Sequence, residues 1–396
     1  MSASRRWLVL GVLYFAQGLP FGFFTQALPV RLREDGASLS AIGLTSLLAA
    51  PWALKWLVAP LLDRFGSRRR WIVALQLAAS LVLLLASFLP PERGWTPVLV
   101  AVLITNALAA TQDVATDALA IELLPHDDRG LANGVQVAGY RVGMMVGGGA
   151  LLVFMAELGW MGALQLLALG SALSALVILG VREPARVRPA RAKNWGALLE
   201  AAKSAGAGRW LLVLFVYKSG DALATAMLRP MIVDGGLDAA AVGAMLGKIG
   251  FGAGLVGALL GGWLVPRLGR GHALVTFGVL QSIGIGTYAL VALGAPHLLG
   301  WAIGLEHLAG GMATAALFTC MMDACRPGLA ATDYALQASV VVLSTGLAAA
   351  LSGLVAEGLG YAGCFATAAL VSLVGAALAD ALRRRRELPL ALMRIR

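Results

Sequence analysis

The sequence predicts an all-α integral membrane protein with twelve transmembrane helices in two pseudo-symmetric six-helix halves. Three observations carry that prediction. Hydrophobic residues make up 59% of the 396 residues and charged residues 13%, where a soluble chain has about 45–50% and about 25%. The mean hydropathy is +0.81. The apolar residues fall into twelve long runs, and sequence marks of the first six recur in the last six. A soluble fold needs polar side chains on its water-facing surface. This chain has too few, so its solvent is lipid.

The twelve runs lie at residues 7–29, 41–62, 71–90, 96–121, 131–156, 159–181, 209–231, 239–265, 272–293, 297–322, 332–356 and 360–382. Each approaches the roughly 20 apolar residues that a bilayer core demands, and none alternates with the period of a barrel strand. The first follows Arg5-Arg6 in the manner of a signal peptide. It continues past Pro20 to Pro29 without a small-residue cleavage site, so it reads as a span. The one long polar stretch, residues 182–208, divides six spans from six. The organisation is thus an N-terminal bundle (1–181), a basic linker (182–208), a C-terminal bundle (209–382) and a basic tail (383–396). The linker is either held against anionic headgroups or a solvated connector.

Lys+Arg 31 against Asp+Glu 21 gives a net charge of +10, which in a soluble chain suggests nucleic acid. Here the cations cluster between spans. With the N-terminus inside, only Arg31, Arg33, Arg93 and Arg229 fall outside, and Lys55, Arg141, Lys218 and Lys248 fall within spans. The remainder lie on the cytoplasmic side, among them Arg68-Arg69-Arg70 and Arg383 to Arg386. That bias sets both termini in the cytoplasm of an inner membrane and leaves no role for nucleic acid. Cys320, Cys325 and Cys364 form neither a disulfide framework nor a metal site.

The repeat sets the architecture. Gly36 with Ala41-Ile42-Gly43 returns as Gly236 with Ala241-Val242-Gly243. Ala59-x-x-x-Asp63-Arg64-x-Gly66-x-Arg68-Arg69 returns 203 residues later as Gly262-x-x-x-Pro266-Arg267-x-Gly269-Arg270. Each pair occupies one topological slot, and parallel six-span halves around a solute site are a transporter plan.

The loop Asp63-Arg64-Phe65-Gly66-Ser67-Arg68-Arg69 resembles the signature of the major facilitator superfamily, with Ala59 where that pattern prefers Gly and Pro266 replacing the acid in the second half. The resemblance implies the major facilitator fold. Asp63 can accept hydrogen bonds from helix N-terminal amides or from a basic group of the other half. Asp63, Arg64, Gly66, Arg68 and Arg69, with Arg267 and Gly269, then form a conformational latch; otherwise the arginines only set topology. The chain further resembles the muropeptide-permease (AmpG-like) branch, which also holds acetyl-CoA and siderophore carriers. The matching stretches are Tyr14-Phe15-Ala16-Gln17-Gly18-Leu19-Pro20, Pro51-Trp52-Ala53-Leu54-Lys55, Pro60-Leu61-Leu62-Asp63-Arg64, Gln112-Asp113 through Asp117, and Gly139-Tyr140-Arg141-Val142-Gly143.

Ionisable residues inside spans cost roughly 2.5–3.5 kcal/mol each to insert, which marks them as functional candidates. Asp113 and Asp117 lie four apart beside Gln112, on one face of the fourth span. Two acids in a low dielectric repel, so one of them is expected to exchange a proton near working pH; the alternative is permanent pairing, for example with Arg141. Lys218 and Asp221 are three apart and either neutralise each other or line the solute cavity opposite Asp113. Glu306 and His307, being adjacent, are expected on different faces. Either shuttles protons, or His307 is a satisfied buried histidine. Lys55, between Trp52 and Trp56, holds an anionic solute or pairs with an aspartate. Gln17-Gly18-Leu19-Pro20 is expected to interrupt the first span and offer Gln17 to a solute, or merely to kink the helix. Gly139, Gly143 and Gly147, and Gly250, Gly254, Gly257 and Gly261, form small-residue stripes for close helix packing.

Rival classes find little support. Gly243 to Lys248 is one residue short of a phosphate-binding loop and lies within a span, and the four histidines are scattered. The expectation is a monomeric, proton-coupled secondary transporter, not an enzyme, without cofactor or metal. Its partners are a small-molecule solute, protons and membrane lipids. Asp113, Asp117, Asp221, Glu306 and His307 are the proton-coupling candidates; Gln17, Lys55, Gln112, Tyr140, Arg141 and Lys218 are the solute-binding ones. The resemblance makes import of an anhydromuropeptide the leading activity. Import of an iron–siderophore complex is the alternative, and a non-transporting membrane sensor the reading from another class.

Overall fold

A computed structural model describes residues 3–91, 94–181, 183, 206–237, 242, 243 and 245–385. Most of the basic linker, Arg93, Ala241 and the tail from residue 386 lie outside the described residues. Those described form helices and short turns, with no strand among them.

Helix α1 (Ala3–Gly22) passes through Pro20 unbroken, widens into a π-turn at Phe23–Ala27 and continues as α2 (Leu28–Glu34). The interruption expected at Gln17–Pro20 is therefore displaced by about a turn. Pro20 lacks only the N–H that would bond the Ala16 carbonyl, a loss the helix tolerates; the widening lies on the C-terminal side of it. The second span is the most irregular: α3 (Leu39–Leu44), a 3-10 turn at Thr45–Ala49, α4 (Ala50–Leu54), a second 3-10 turn at Lys55–Leu57 and α5 (Ala59–Arg64). Pro51 and Pro60 stand in the first turns of α4 and α5, where a missing N–H costs least and helical bonding restarts.

Helix α6 (Arg68–Ser87) is capped by Ser67, whose Oγ accepts from the Arg70 N–H at 3.2 Å. Next come α7 (Thr96–Leu123), α8 (Arg129–Met145), a π-turn at Val146–Ala150 and α9 (Leu151–Leu179). Helices α10 (Ala207–Tyr217) and α11 (Ser219–Asp234) meet at Lys218. A π-turn at Leu246–Gly250 leads into α12 (Phe251–Leu268), followed by α13 (Arg270–Ala292), α14 (Leu299–Asp323) and α15 (Ala330–Arg384).

Eight stretches are long and apolar enough to cross a membrane. Two of them, His126–Leu179 and Ala330–Arg384, run to 54 and 55 residues, about 80 Å of helix against a core of about 30 Å. Each contains a non-helical glycine, Gly159 (φ 68°) or Gly360 (φ 67°), and each is two spans. The broken second span and α14, whose Glu306 and His307 dilute its apolar character, complete twelve among the described residues. The duplication is written in the backbone as well. Left-handed glycines recur in register: Gly36 and Gly236 (φ 85° and 93°), Gly66 and Gly269 (70° and 79°), Gly94 and Gly294 (115° and 111°), Gly159 and Gly360.

Contacts gather the chain into two compact units. The first comprises Met1–Leu124, Ala138–Gly196 and Arg326–Ser339; the second comprises Pro125–Val137, Ala197–Cys325 and Val340–Arg396. In the first, Leu19, Phe23, Phe24, Leu28, Leu83 and Leu164 belong to one buried cluster. In the second, Leu228, Ile232, Ile285, Tyr288, Ile303 and Phe365 belong to another. The outer faces are as apolar as the cores: Leu166, Leu169, Leu173 and Leu176 form an exposed stripe on α9, tolerable only in lipid. The glycine stripes bring backbones together within each unit. A Cβ on Gly143 or Gly147 would sit 2.1 or 1.9 Å from the Phe15 or Leu19 carbonyl of α1. One on Gly257 would sit 2.1 Å from the Leu308 carbonyl of α14.

Candidate functional site: paired charges inside the bundle

In the first unit, α7 supplies two acids one turn apart. Asp113 forms a buried ion pair with Lys55 Nζ. Asp117 accepts from the Tyr14 hydroxyl of α1 at 2.8 Å. The two carboxyls lie on one face of α7, both fully or nearly buried. Lys55 reaches this group because the second span leaves α-helical geometry there, in the 3-10 turn Lys55–Leu57. Gln112 Nε2 donates to Gln76 Oε1 at 3.4 Å, and Gln76 Nε2 donates to the Ser171 carbonyl at 3.0 Å.

Beside the pair stands an aromatic wall. The Phe21 ring lies 5.3 Å from Trp52, edge-on, and 5.7 Å from Tyr140. Lys55 Nζ lies 5.9 Å from the Trp52 ring centre. Gln17, one turn before Phe21 on α1, is 2% exposed, and neither its amide nitrogen nor its amide oxygen has a hydrogen-bond partner. The Trp52 indole nitrogen is likewise buried and unpartnered. Arg141, next to Tyr140 on α8, is half-buried.

The second unit buries a comparable group. Lys218, at the break between α10 and α11, pairs with Asp221 at 2.7 Å and lies 3.4 Å from Gln281 Oε1. Glu306 accepts from the Tyr288 hydroxyl at 3.2 Å, and its Oε1 and the Asp221 Oδ1 both lie within 4 Å of the vacant Cβ position of Gly310. His307 Nδ1 lies 2.8 Å from Glu306 Oε2. This corrects the expectation that adjacent residues face apart: the backbone directions diverge, yet the two side chains bend back to each other. The three lysines within spans stand at irregular backbone, Lys55 in a 3-10 turn, Lys218 at a helix break and Lys248 in the π-turn Leu246–Gly250. Lys248 is exposed, unlike the other two.

Near the C-terminal end of α7 lies a third group. The fully buried Arg68 donates to Asp63 at 2.6 Å, to Glu122 at 3.0 Å and to the Leu62 carbonyl at 2.6 Å. Asp63 also accepts the Ala331 and Thr332 amides at 3.2 and 2.8 Å, in the first turn of α15, where helix amides favour an anion. Glu183 accepts the Arg68 and Arg69 amides at the start of α6, and Arg69 Nη1 donates to the Leu179 and Val181 carbonyls. Arg64 is exposed over the Phe65 ring, and Gly66 turns the chain at φ 70°.

The corresponding group in the second unit departs from what the repeat suggested. Arg267 is exposed, stacked 3.8 Å from the Trp263 ring centre and bonded to the Trp263 carbonyl. Gly269 provides the turn at φ 79°, which aims Arg270 inward instead. Arg270 Nε donates to Asp323 at 3.0 Å, Arg129 reaches the same carboxylate at 2.7 Å, and His126 Nε2 lies 3.4 Å from it. Sequence reasoning missed Tyr14, Glu122, Tyr288, Arg129, Arg270 and Asp323. An acid at the end of an apolar helix, as at Asp323, was the available signal. Among the described residues no group of three or more histidine, cysteine or acidic side chains is placed to hold a metal ion.

A helical membrane bundle that hides lysine–carboxylate pairs at breaks in its spans is built as a transporter. The chain belongs to the Major Facilitator Superfamily, which it matches over residues 10–341, and within it to the AmpG-like transporters. It is 34% identical over 348 residues to the anhydromuropeptide permease of Escherichia coli K12, covering 84% of this chain and 70% of that protein. It is 26% identical over 384 residues to a putative AmpG transporter of Rickettsia conorii, covering 91% and 92%. Among solved structures, the human organic anion transporter MFSD10 superposes with a TM-score of 0.77 at 17% identity, over 96% of this chain and all (100%) of that one. The Escherichia coli fucose:proton symporter gives 0.74 at 14% identity, over 94% and 97%. These two likenesses establish the fold.

Proposed function

We propose that the protein is a proton-coupled importer that carries an anhydromuropeptide across the inner membrane by alternating access, as a monomer with both termini in the cytoplasm. The relationship to the muropeptide permease supports the solute. The buried Lys55–Asp113 pair is the observation that carries the coupling.

The coupling follows from charge balance. A buried ion pair that loses one partner leaves an uncompensated charge worth several kcal/mol. If a proton neutralises Asp113, Lys55 needs another anion, and a carboxylate of the solute's peptide supplies it. Proton alone or solute alone is costly; both together are not, and that makes cotransport. Tyr14 holds the second acid, Asp117, beside the exchanging one. Asp221, Glu306 and His307 with Lys218 repeat the arrangement in the second unit. Gln17, Gln112, Tyr140 and Arg141 contribute to the solute site. The Asp63–Arg68 group, with Arg64, Gly66 and Arg69, acts as a latch that holds one conformation and opens in another; in the second unit Arg270, beyond the turn at Gly269, takes the place expected of Arg267. Lipid headgroups meet the basic loops.

Uptake of radiolabelled anhydromuropeptide into right-side-out vesicles under an imposed pH gradient tests this reading. Accumulation is expected to collapse with a protonophore and in Asp113→Asn, with solute exchange retained. Accumulation that persists in both conditions, or no uptake of the muropeptide by the wild-type protein, overturns it.

A further inference from the structure

The aromatic wall of the first unit gathers several unmatched hydrogen-bonding groups beside the buried ion pair. Three hydrogen-bonding atoms, the Gln17 amide nitrogen and oxygen and the Trp52 indole nitrogen, are sealed from solvent without partners. An unmade buried hydrogen bond forfeits the solvation its groups had in water, and each such group calls for an explanation. Gln17 and Phe21 are one turn apart on α1, and Phe21 touches both Trp52 and Tyr140. The orphan groups and the three rings are therefore one neighbourhood, adjoining Lys55 and Asp113.

The chemistry of that neighbourhood is specific. A primary amide with both donor and acceptor unmatched is complementary to another amide, N–H to C=O and C=O to N–H. An indole N–H suits a hydroxyl or ring oxygen. Aromatic faces suit the C–H faces of a pyranose ring. A sugar bearing an acetamido group offers all three at once. We propose that Gln17, Trp52, Phe21 and Tyr140 form the subsite for the N-acetylated glycan part of the solute, while Lys55 meets its carboxylate. This rests on the muropeptide reading and divides the solute between a neutral, stacked part and a charged part. Phe21, over Trp52 and Tyr140, must shift for the sugar to enter.

The test is calorimetric binding to the purified full-length protein in nanodiscs. Three probes are used: an anhydromuropeptide, its N-acetylated disaccharide without peptide, and the peptide without sugar. The variants are Gln17→Met, which keeps the volume of the chain, and Trp52→Phe, which keeps a ring and removes the N–H. Each is expected to weaken the two sugar-bearing probes by roughly tenfold, the worth of one hydrogen bond, and to leave the peptide probe unchanged. Gln17→Met should also raise the thermal midpoint of the unliganded protein, because it removes an unsatisfied buried amide. A merely structural glutamine would lower it. Unchanged affinity for the muropeptide in both variants overturns the subsite and leaves the proposed function standing. A wild-type protein that binds neither sugar-bearing probe overturns both.

Discussion

The carboxylate of Asp63 accepts the backbone amide of Thr332 at 2.8 Å across 269 residues of sequence. The same carboxylate binds the buried guanidinium of Arg68. One acid thus closes the end of the second span against the first turn of α15, where helix amides lack internal partners.

That contact predicts graded losses. Asp63→Leu should remove both amide bonds and one charge partner of Arg68. Asp63→Asn keeps one acceptor oxygen and should do less harm. Hydrogen bonds to a charged group are worth about 1.5–3 kcal/mol, so amide exchange at Ala331 and Thr332 should accelerate by one to two orders of magnitude in Asp63→Leu. Hydrogen-exchange mass spectrometry of that segment reads the change, and unaltered protection would deny the carboxylate this role.

The Lys55–Asp113 pair should show strong pairwise coupling. Lys55→Met or Asp113→Leu alone strands a buried charge and should cost about 3–5 kcal/mol. The double substitution removes both charges and should restore the thermal midpoint to near the wild-type value or above it. Additive losses in a double-mutant cycle would mean that the two residues do not depend on each other.

Three glycines of one sequence stretch should differ sharply. Alanine at Gly143 or Gly147 places a methyl group about 2 Å from a carbonyl of α1, which forces the helices apart. Gly149 has no atom within 4 Å of its vacant Cβ position. Gly143→Ala and Gly147→Ala should lower the yield of folded protein several-fold, while Gly149→Ala should be neutral within about 0.5 kcal/mol. Size-exclusion profiles in detergent distinguish them.

Two basic residues three apart should also part company. Arg270 shares the fully buried Asp323 with Arg129, whereas Arg267 lies exposed on Trp263. Arg270→Ala should cost about 3–5 kcal/mol by leaving a buried acid short of charge, and Arg267→Ala about 0.5–1 kcal/mol from the lost ring contact. Thermal unfolding of the purified variants measures both, and equal effects would mean that burial of Asp323 carries no weight.

Much of the site was legible along one helix. Asp113 and Asp117 stood out because a helical period of four places them on one face and because each acid is expensive in lipid. Lys55 was recognisable as misplaced for the same reason. Its choice of partner was not, since Asp113 is 58 residues away on another span. Arg270 was passed over for Arg267 because the repeat aligns Arg267 with Arg64, and Arg64 proves exposed as well. Alignment preserved the turn at Gly66 and Gly269 and could not say which arginine after it faces inward.

The amino-acid sequence by itself determined the solvent, the twelve spans and their duplication, because insertion into lipid depends on composition summed over about 20 residues and a repeat survives as spacing. Only the tertiary structure decided which charges meet. A side chain reaches a few ångströms, so the partner of Lys55, the acid under Arg270 and the empty hydrogen-bonding positions of Gln17 depend on where separate helices bend and touch.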